Sequence, residues 1–304
     1  MYYILYAFFY LVSLLPMRIL YILSDLMFFV VYHCISYRKK VVFKNLEKAF
    51  PEKSGAERAG IAKQFYRNMI DSFIETFKLL SASPRFLLRR VTANWEILEP
   101  MQKSGKSCQL HLGHTFNWEW GHHVLQMNTI YQVLVVYGPL SSKAFERLLL
   151  GIRTRFGSKF IPASDMKHSI AQYADTQYLL GLVADQSPGK PQQAYWLNFL
   201  NQPTAFIPGP EKAARNLNLP VLFAAISKTR RGYYHAELTI ASEQPAMLKP
   251  GELTLMYARF LEDTIRKQPE NWLWSHRRWK HTCKPEYAEQ WIGEEQSAMG
   301  VYQY

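Results

Sequence analysis

The chain has 304 residues, 48% of them hydrophobic and none in a low-complexity tract, enough to bury a full core and to exclude wholesale disorder, collagen-like repeats and coiled coils. Its 36 Lys and Arg against 24 Asp and Glu leave a charge of +12, which with 15% aromatics suits an anionic membrane interface or single-stranded nucleic acid. Three scattered cysteines, Cys34, Cys108 and Cys283, exclude a disulfide framework and a cysteine-rich zinc site, and point to a reducing compartment.

The first 35 residues are the most biased. Tyr2 to Met17 is almost wholly apolar; Arg18 follows, then Ile19 to Ile35, broken by Asp25, and then Arg38, Lys39 and Lys40. A spanning helix needs about 20 apolar residues, so the first run alone is slightly short. A basic start and a small-residue cleavage site are missing, which argues against a signal peptide. Residues 1–35 are therefore expected to anchor the chain, spanning a bilayer or lying in one leaflet, with a buried helical hairpin as the alternative. The basic cluster would keep the remaining domain, residues 36–304, on the cytoplasmic side.

Residues 41–53 read as a connector. Ser54 and Glu57 form a capping box for a helix of about 25 residues, along which Ile61, Phe65, Met69, Phe73 and Phe77 make a core-facing stripe. From residue 91 short apolar runs alternate with helical stretches. The predicted strands are Ser107–Leu112, Val133–Tyr137, Lys159–Pro162, Leu179–Ala184, Val221–Ile226 and Tyr234–Ile240. The predicted helices are Asn117–Gln126, Ser142–Phe156, Met166–Ala174, Glu211–Asn218 and Glu252–Lys267. This order predicts an α/β fold, a mixed, mostly parallel sheet flanked by helices. A Trp-rich segment, Asn271–Lys280, precedes a polar tail, Pro285–Tyr304, expected to be peripheral. Gly-rich phosphate loops are absent, so nucleotide chemistry has no support.

Chemistry concentrates between Cys108 and Trp120. A strand ends near Leu112, Gly113 turns the chain, and a helix begins near Asn117, at the strand end where α/β sheets bind ligands. His114 in the loop and Glu119 in the helix's first turn can meet, so that the carboxylate holds one imidazole nitrogen and frees the other as a base. Metal binding by His111, His114, Glu119, His122 and His123 is the rival, but the His-Glu-x-x-His order is absent and no cysteine sits at ligand spacing. His122 and His123 read as ordinary interface histidines beside Trp118 and Trp120.

His114-Thr-Phe-Asn-Trp-Glu119 resembles the His-x4-acid motif of bacterial lipid A late acyltransferases, within the wider glycerophosphate-acyltransferase-like superfamily. Other blocks follow in the family's order over nearly the whole chain. Leu15-Pro16-Met17-Arg18 and Arg38 to Pro51 look like its anchor and connector. Gly151-Ile-Arg153-Thr-Arg155-Phe-Gly157 is similar to its basic block, and Ala184-Asp185-Gln186-Ser187 to its third block. Trp274-Ser-His276-Arg277-Arg278-Trp279-Lys280 looks like its closing signature. Family members commonly read His-Phe-Gly-Asn-Trp-Glu. Here His111-Leu-Gly-His114-Thr-Phe-Asn-Trp-Glu runs three residues longer, and only His114 keeps four residues before Glu119. Catalysis is assigned to His114, with His111 as the alternative.

The resemblance implies acyl transfer from acyl carrier protein to a hydroxyl of a lipid A precursor, at the cytoplasmic face of the inner membrane, without metal or other cofactor. His114 would be the base, Glu119 its orienter, and Arg153 or Arg155 the group that receives charge on the thioester oxygen. Of these two arginines one is expected in the site, because two residues apart they do not share a helical face; Arg155 is taken as catalytic and Arg153 as substrate-binding. Asp185 and Gln186 are taken as substrate-binding, with Asp185 either positioning Arg155 or capping the next turn. Arg277, Arg278 and Lys280 would grip the acceptor's phosphates or lipid headgroups. Another lipid acceptor (an aminolipid, a glycolipid or a lysophospholipid) is the alternative. A nucleic-acid-binding module is disfavoured, since no such fold motif is present.

Overall fold

The computed structural model describes residues 1–293, and it begins with two apolar helices, α1 (Tyr2–Leu14) and α2 (Met17–Phe29), parted at Pro16. Proline has no amide hydrogen to continue α1, and its fixed φ suits the start of α2. A π-helical turn, Val30–Ile35, prolongs α2. The expected connector is for the most part a helix, α3 (Lys39–Ala49). Its Val42, Leu46 and Ala49 are buried at positions i, i+4 and i+7, an apolar stripe that four lysines and a glutamate obscure in the sequence.

The capping box starts α4 (Gly55–Lys78): Glu57 N donates to Ser54 Oγ at 3.2 Å and Ser54 N to Glu57 Oε2 at 2.7 Å. The stripe along α4 is only partly inward. Phe65 and Phe77 are buried, while Phe73 is exposed. A four-residue repeat outruns the 3.6-residue turn, so the stripe winds round the helix. Its first half meets the core through Phe116, and its far end meets Phe9 of α1, with ring centroids 3.8 Å apart.

A short helix, α5 (Pro84–Leu88), leads to β1 (Val91–Ala93), α6 (Glu99–Lys103), β2 (Cys108–Leu112) and α7 (Trp118–Met127). Then come β3 (Gln132–Tyr137), α8 (Lys143–Arg153), β4 (Lys159–Pro162), α9 (Met166–Ala171) and β5 (Tyr178–Val183). A hairpin, β6 (Tyr195–Phe199) and β7 (Gln202–Phe206), precedes α10 (Gly209–Leu217), β8 (Val221–Arg230), β9 (Tyr233–Ser242) and α11 (Glu252–Lys267). Seven strands form one sheet in the order β1-β9-β8-β2-β5-β3-β4, and β8–β9 is its one antiparallel pairing among the described residues. The mixed, mostly parallel α/β class read from the alternation is the fold observed. β2 is buried at all five positions, as a central parallel strand covered on both faces must be.

The hairpin β6–β7 was not legible in the sequence, since Asn198, Gln202 and Pro203 interrupt its apolar run. Its turn residues Leu200 and Asn201 both take positive φ, 51° and 61°, which matches the twist of a two-residue hairpin loop. Apolar cores lie on either side of the sheet: Cys108, Leu110 and Leu112 of β2 face that of α5, α7 and α8, while Gln109 and His111 face away from it. The tail departs from its expected peripheral character as far as it is described. Tyr287 is buried and stacks on Trp196, centroids 5.4 Å apart. Residues 294–304 of that tail lie outside the described residues.

Candidate active site

β2 and β5 run parallel in a register that sets Leu112 opposite Val183. Two residues beyond each, His114 and Asp185 meet at the carboxyl end of the sheet. His114 Nδ1 is hydrogen-bonded to Asp185 Oδ1, and the His114 amide donates to Asp185 Oδ2 at 2.9 Å. Trp272 Nε1 donates to the same Oδ2 at 2.7 Å. Gly113 makes this approach feasible: a Cβ there would strike Leu261 and lie 3.2 Å from Asp185 Oδ2. Asp185 is buried, which by itself favours the neutral acid. The His114 imidazolium and three donated hydrogen bonds outweigh burial and hold its carboxyl well below the usual carboxylate range. Burial pushes the His114 imidazole down, and Asp185 more than reverses this, so its pKa is raised.

The carboxylate that holds His114 is thus Asp185, and Glu119 makes no hydrogen bond to His114. Glu119 sits in the first turn of α7 and accepts from Arg153: Nε lies 3.1 Å from both carboxylate oxygens, and Nη2 lies 2.5 Å from Oε1. Arg153 also lies over Trp118, 5.0 Å from its ring centroid, and ends α8. Among the described residues its Nη1 donates to no protein acceptor.

Arg155 lies elsewhere. Beyond the end of α8 its guanidinium turns to the segment that follows α4, bonding Leu79 O and, at 2.7 Å, Ala82 O. Leu79 is the C-cap of α4 and Ala82 lies in the link to α5, so one guanidinium satisfies two carbonyls outside any helix ladder. Asp185 does not position Arg155 either, since all three of its bonds go to His114 and Trp272.

The Trp-rich segment straps the loop that carries His114. Leu273 N donates to His114 O at 3.1 Å, Phe116 N to Asn271 O at 3.0 Å, and Asn271 Nδ2 to Phe116 O at 2.7 Å. Within the strap Arg277 and Lys280 are exposed, but Arg278 is buried, with Nη1 donating to Ala205 O at 2.8 Å. Burial draws the Arg278 guanidinium down to about 10. It lies 4.4 Å from the Phe206 ring centroid, inside the fold rather than on the surface beside Arg277 and Lys280. Burial also lowers His276 to about 4; its ring centroid lies 6.5 Å from that of His114.

His111 is buried on β2, where burial pushes it down to about 3. With the Gln109 amide turned to satisfy both ends, its nitrogen donates to His111 Nε2 at 2.8 Å and to Pro210 O at 3.2 Å. A neutral imidazole held by a neighbouring side chain is poorly placed to exchange protons with a substrate. Burial lowers His122 well below its ordinary value and His123 to about 3. Among the described residues, no group of three or more His, Cys, Asp and Glu side chains is arranged to hold a metal ion.

A groove of about 460 Å³ opens beside this pair. His114, Trp118, Arg153 and Gln186 contribute its polar rim, and Leu140, Ile170, Leu180, Leu182 and Leu217 line it with hydrocarbon.

Sequence reasoning missed Trp272, Asn271 and the brace behind the loop. Asn117 caps α7 by accepting from Trp120 N at 3.1 Å, and its amide donates to Glu75 of α4 at 2.7 Å. Asn117 before a periodic run was a readable cap signal. Nothing in the sequence pairs Trp272 with Asp185 across 87 positions.

An open, mostly parallel sheet with a carboxylate-held histidine at its strand ends, above a groove lined with hydrocarbon, is the framework of an α/β enzyme acting on an apolar substrate. The chain belongs to the family of bacterial lipid A biosynthesis acyltransferases, whose description it matches over residues 1–281. It is accordingly an acyltransferase of a membrane-associated family. No curated protein matches it.

Proposed function

We propose that this protein carries out a late acylation of lipid A, moving a fatty acyl chain from acyl carrier protein to a hydroxyl of a lipid A precursor at the cytoplasmic face of the inner membrane. The observation that carries the reading is the Asp185–His114 pair at the rim of the apolar groove. With Nδ1 engaged by Asp185, the His114 lone pair sits on Nε2. A hydroxyl is a weak nucleophile until a base takes its proton during attack. His114 removes that proton as the oxygen bonds to the thioester carbon. The resulting imidazolium is stabilised by Asp185. As the tetrahedral intermediate collapses, the carbon–sulfur bond breaks and His114 returns the proton to the leaving thiolate. Atoms and charge balance, and the thioester supplies the driving force.

Arg153 is assigned to the developing oxyanion. Glu119 fixes its fork through Nε and Nη2 and leaves Nη1 for substrate. Glu119 is therefore a positioning residue in this reading, acting through Arg153. The hydrocarbon wall of the groove suits the acyl chain, and Gln186 and the exposed Arg277 and Lys280 are assigned to the acceptor's polar head. The +12 charge favours an acidic carrier protein as donor.

The test is acyl transfer by the purified protein from acylated carrier protein to a lipid A precursor, read by mass spectrometry of the lipid. His114→Ala is expected to lose about 10²–10⁴ in kcat with folding intact. Wild-type turnover by His114→Ala would overturn the mechanism. Acylation of other lipids but not of the lipid A precursor would overturn the acceptor.

A further inference from the structure

The two N-terminal helices each keep one face for the rest of the protein. On α2 that face carries Leu20, Ser24 and Phe28, buried at every fourth position. Polar contacts follow the same side. Tyr21 Oη donates to Glu75 Oε1 at 2.7 Å, Ser24 Oγ to Asp71 Oδ1 at 2.7 Å, and Asp25 pairs with Arg231 at 2.8 Å. Further along, Arg67 lies over Phe28 and Tyr32 packs on Tyr66. The partners run backwards along α4, from Glu75 to Tyr66, as α2 runs forwards. The two helices therefore lie side by side and antiparallel for the whole of α2.

α1 is tied at both ends. Arg147 of α8 lies over Tyr2 at 4.2 Å, and Lys78 Nζ and Ser81 Oγ each donate to Ser13 O at 2.6 Å. Midway, Phe9 stacks on Phe77.

The opposite faces are exposed and apolar: Tyr3, Ile4, Phe8 and Leu11 on α1, and Ile19, Ile22, Leu26 and Phe29 on α2. Phe73 of α4 continues the patch, because its ring packs against Phe77, which in turn stacks on Phe9. Asp25 is the single acidic residue before Glu47, and Arg231 pairs with it. Exposed Arg18, Arg38 and Lys40 flank the patch. An apolar face of this kind with basic flanks is complementary to one leaflet and its anionic headgroups.

We propose that α1 and α2 lie in the plane of a single leaflet and that neither crosses the bilayer. Met17–Ile35 is long and apolar enough to cross by length and composition. However, both ends of each helix are bonded to the catalytic side, and a crossing would pull Asp71, Glu75 and Arg231 into hydrocarbon or break their contacts with α2. The exit of α2 also reaches the strap. Tyr66 Oη donates to Tyr37 O at 2.5 Å, and Arg38 Nη1 to Ser275 O at 3.1 Å. Resting on the lipid-acceptor reading, the leaflet surface then lies next to the segment that holds His114, and a lipid acceptor reaches the site laterally.

Single cysteines test the topology in full-length protein carrying Cys34→Ser and Cys283→Ser. Membrane vesicles are sorted by the side their catalytic domain faces, and Arg18→Cys and Lys40→Cys, which bracket Met17–Ile35, are treated with a membrane-impermeant maleimide. Both are expected to label only from the catalytic side. Labelling of either from the opposite side overturns the proposal. A nitroxide on Leu26→Cys is expected to collide with oxygen more than with an aqueous nickel complex; the reverse order overturns lipid burial of this face. Leu11→Glu combined with Leu26→Glu is expected to move the protein into the supernatant after a high-salt wash with an unchanged Tm, and its retention on membranes counts against the proposal. None of these readouts uses the reaction, so a failed acyl-transfer assay leaves them standing, and their failure leaves the assay standing.

Discussion

Asp185→Asn isolates the charge behind His114 while keeping the shape of the site. The Asp185 side chain is 2% exposed and that of His114 21%, so solvent screens their interaction weakly. Opposite charges roughly 4 Å apart at an effective dielectric constant of ~20 attract by about 4 kcal/mol. If that stabilisation of the imidazolium is realised in the transition state, its loss lowers kcat on the order of 10³. The amide also has one acceptor where the carboxylate has two. With its oxygen kept for Trp272 and the His114 amide, its nitrogen faces Nδ1 and forces the ring proton onto Nε2, the wrong tautomer for a base. The pH profile gives an independent readout. In the wild type Asp185 raises the His114 pKa, and the base form appears as pH climbs through that raised value. The variant's ascending limb is expected at lower pH, with a much lower plateau. Initial rates of lipid acylation across roughly pH 5–9 measure both. A variant with the wild-type plateau and midpoint, alongside a Glu119→Gln variant whose midpoint moves, would refute Asp185 as the orienter.

His111→Ala is expected to cost stability of about 1–3 kcal/mol, because it leaves the Gln109 amide short of a buried partner, yet to keep kcat of the folded fraction within about tenfold; denaturant melts and active-site-normalised rates separate the two. Arg153→Lys is expected to lose on the order of 10² in kcat, since an ammonium cannot hold Glu119 in a fork and still reach substrate; a wild-type rate would remove Arg153 from the oxyanion. Stability should depend on pH through the pair itself. Asp185, with its folded pKa depressed, contributes above its ordinary 3.8 and loses this as pH falls through the folded value. His114, with its folded pKa raised, contributes fully below 6.5 and loses this as pH rises through the folded value. The Tm difference between wild type and Asp185→Asn should therefore peak between 3.8 and 6.5, and a difference that is flat across that window would contradict the assignment.

Local grammar was readable where one stretch of chain decides its own state. The Ser54–Glu57 box, the strand ending at Leu112, the turn at Gly113 and the helix after Asn117 all follow from backbone hydrogen-bonding needs and apolar period. Lys39–Ala49 escaped because its three buried apolar positions span barely two turns among charged residues. The hairpin at Tyr195–Phe206 escaped because its turn uses Leu200, which gives no turn signal.

The sequence by itself determined the α/β class and the placing of His114, Glu119, Asp185 and Arg153 at element ends, because apolar period and turn chemistry act within a few residues. Which of them meet was decided by tertiary structure. The His-x4-acid spacing put Glu119 within reach of His114, but the parallel register of β2 and β5 put Asp185 there first, from 71 positions away. Arg153 and Arg155 look equivalent in the chain. The last residue of α8 faces the groove and Glu119, while two residues on the backbone has left the helix and the side chain reaches carbonyls in the segment after α4. Strand order, register and the docking of one helix end on another are sums over distant contacts, and no local pattern encodes them.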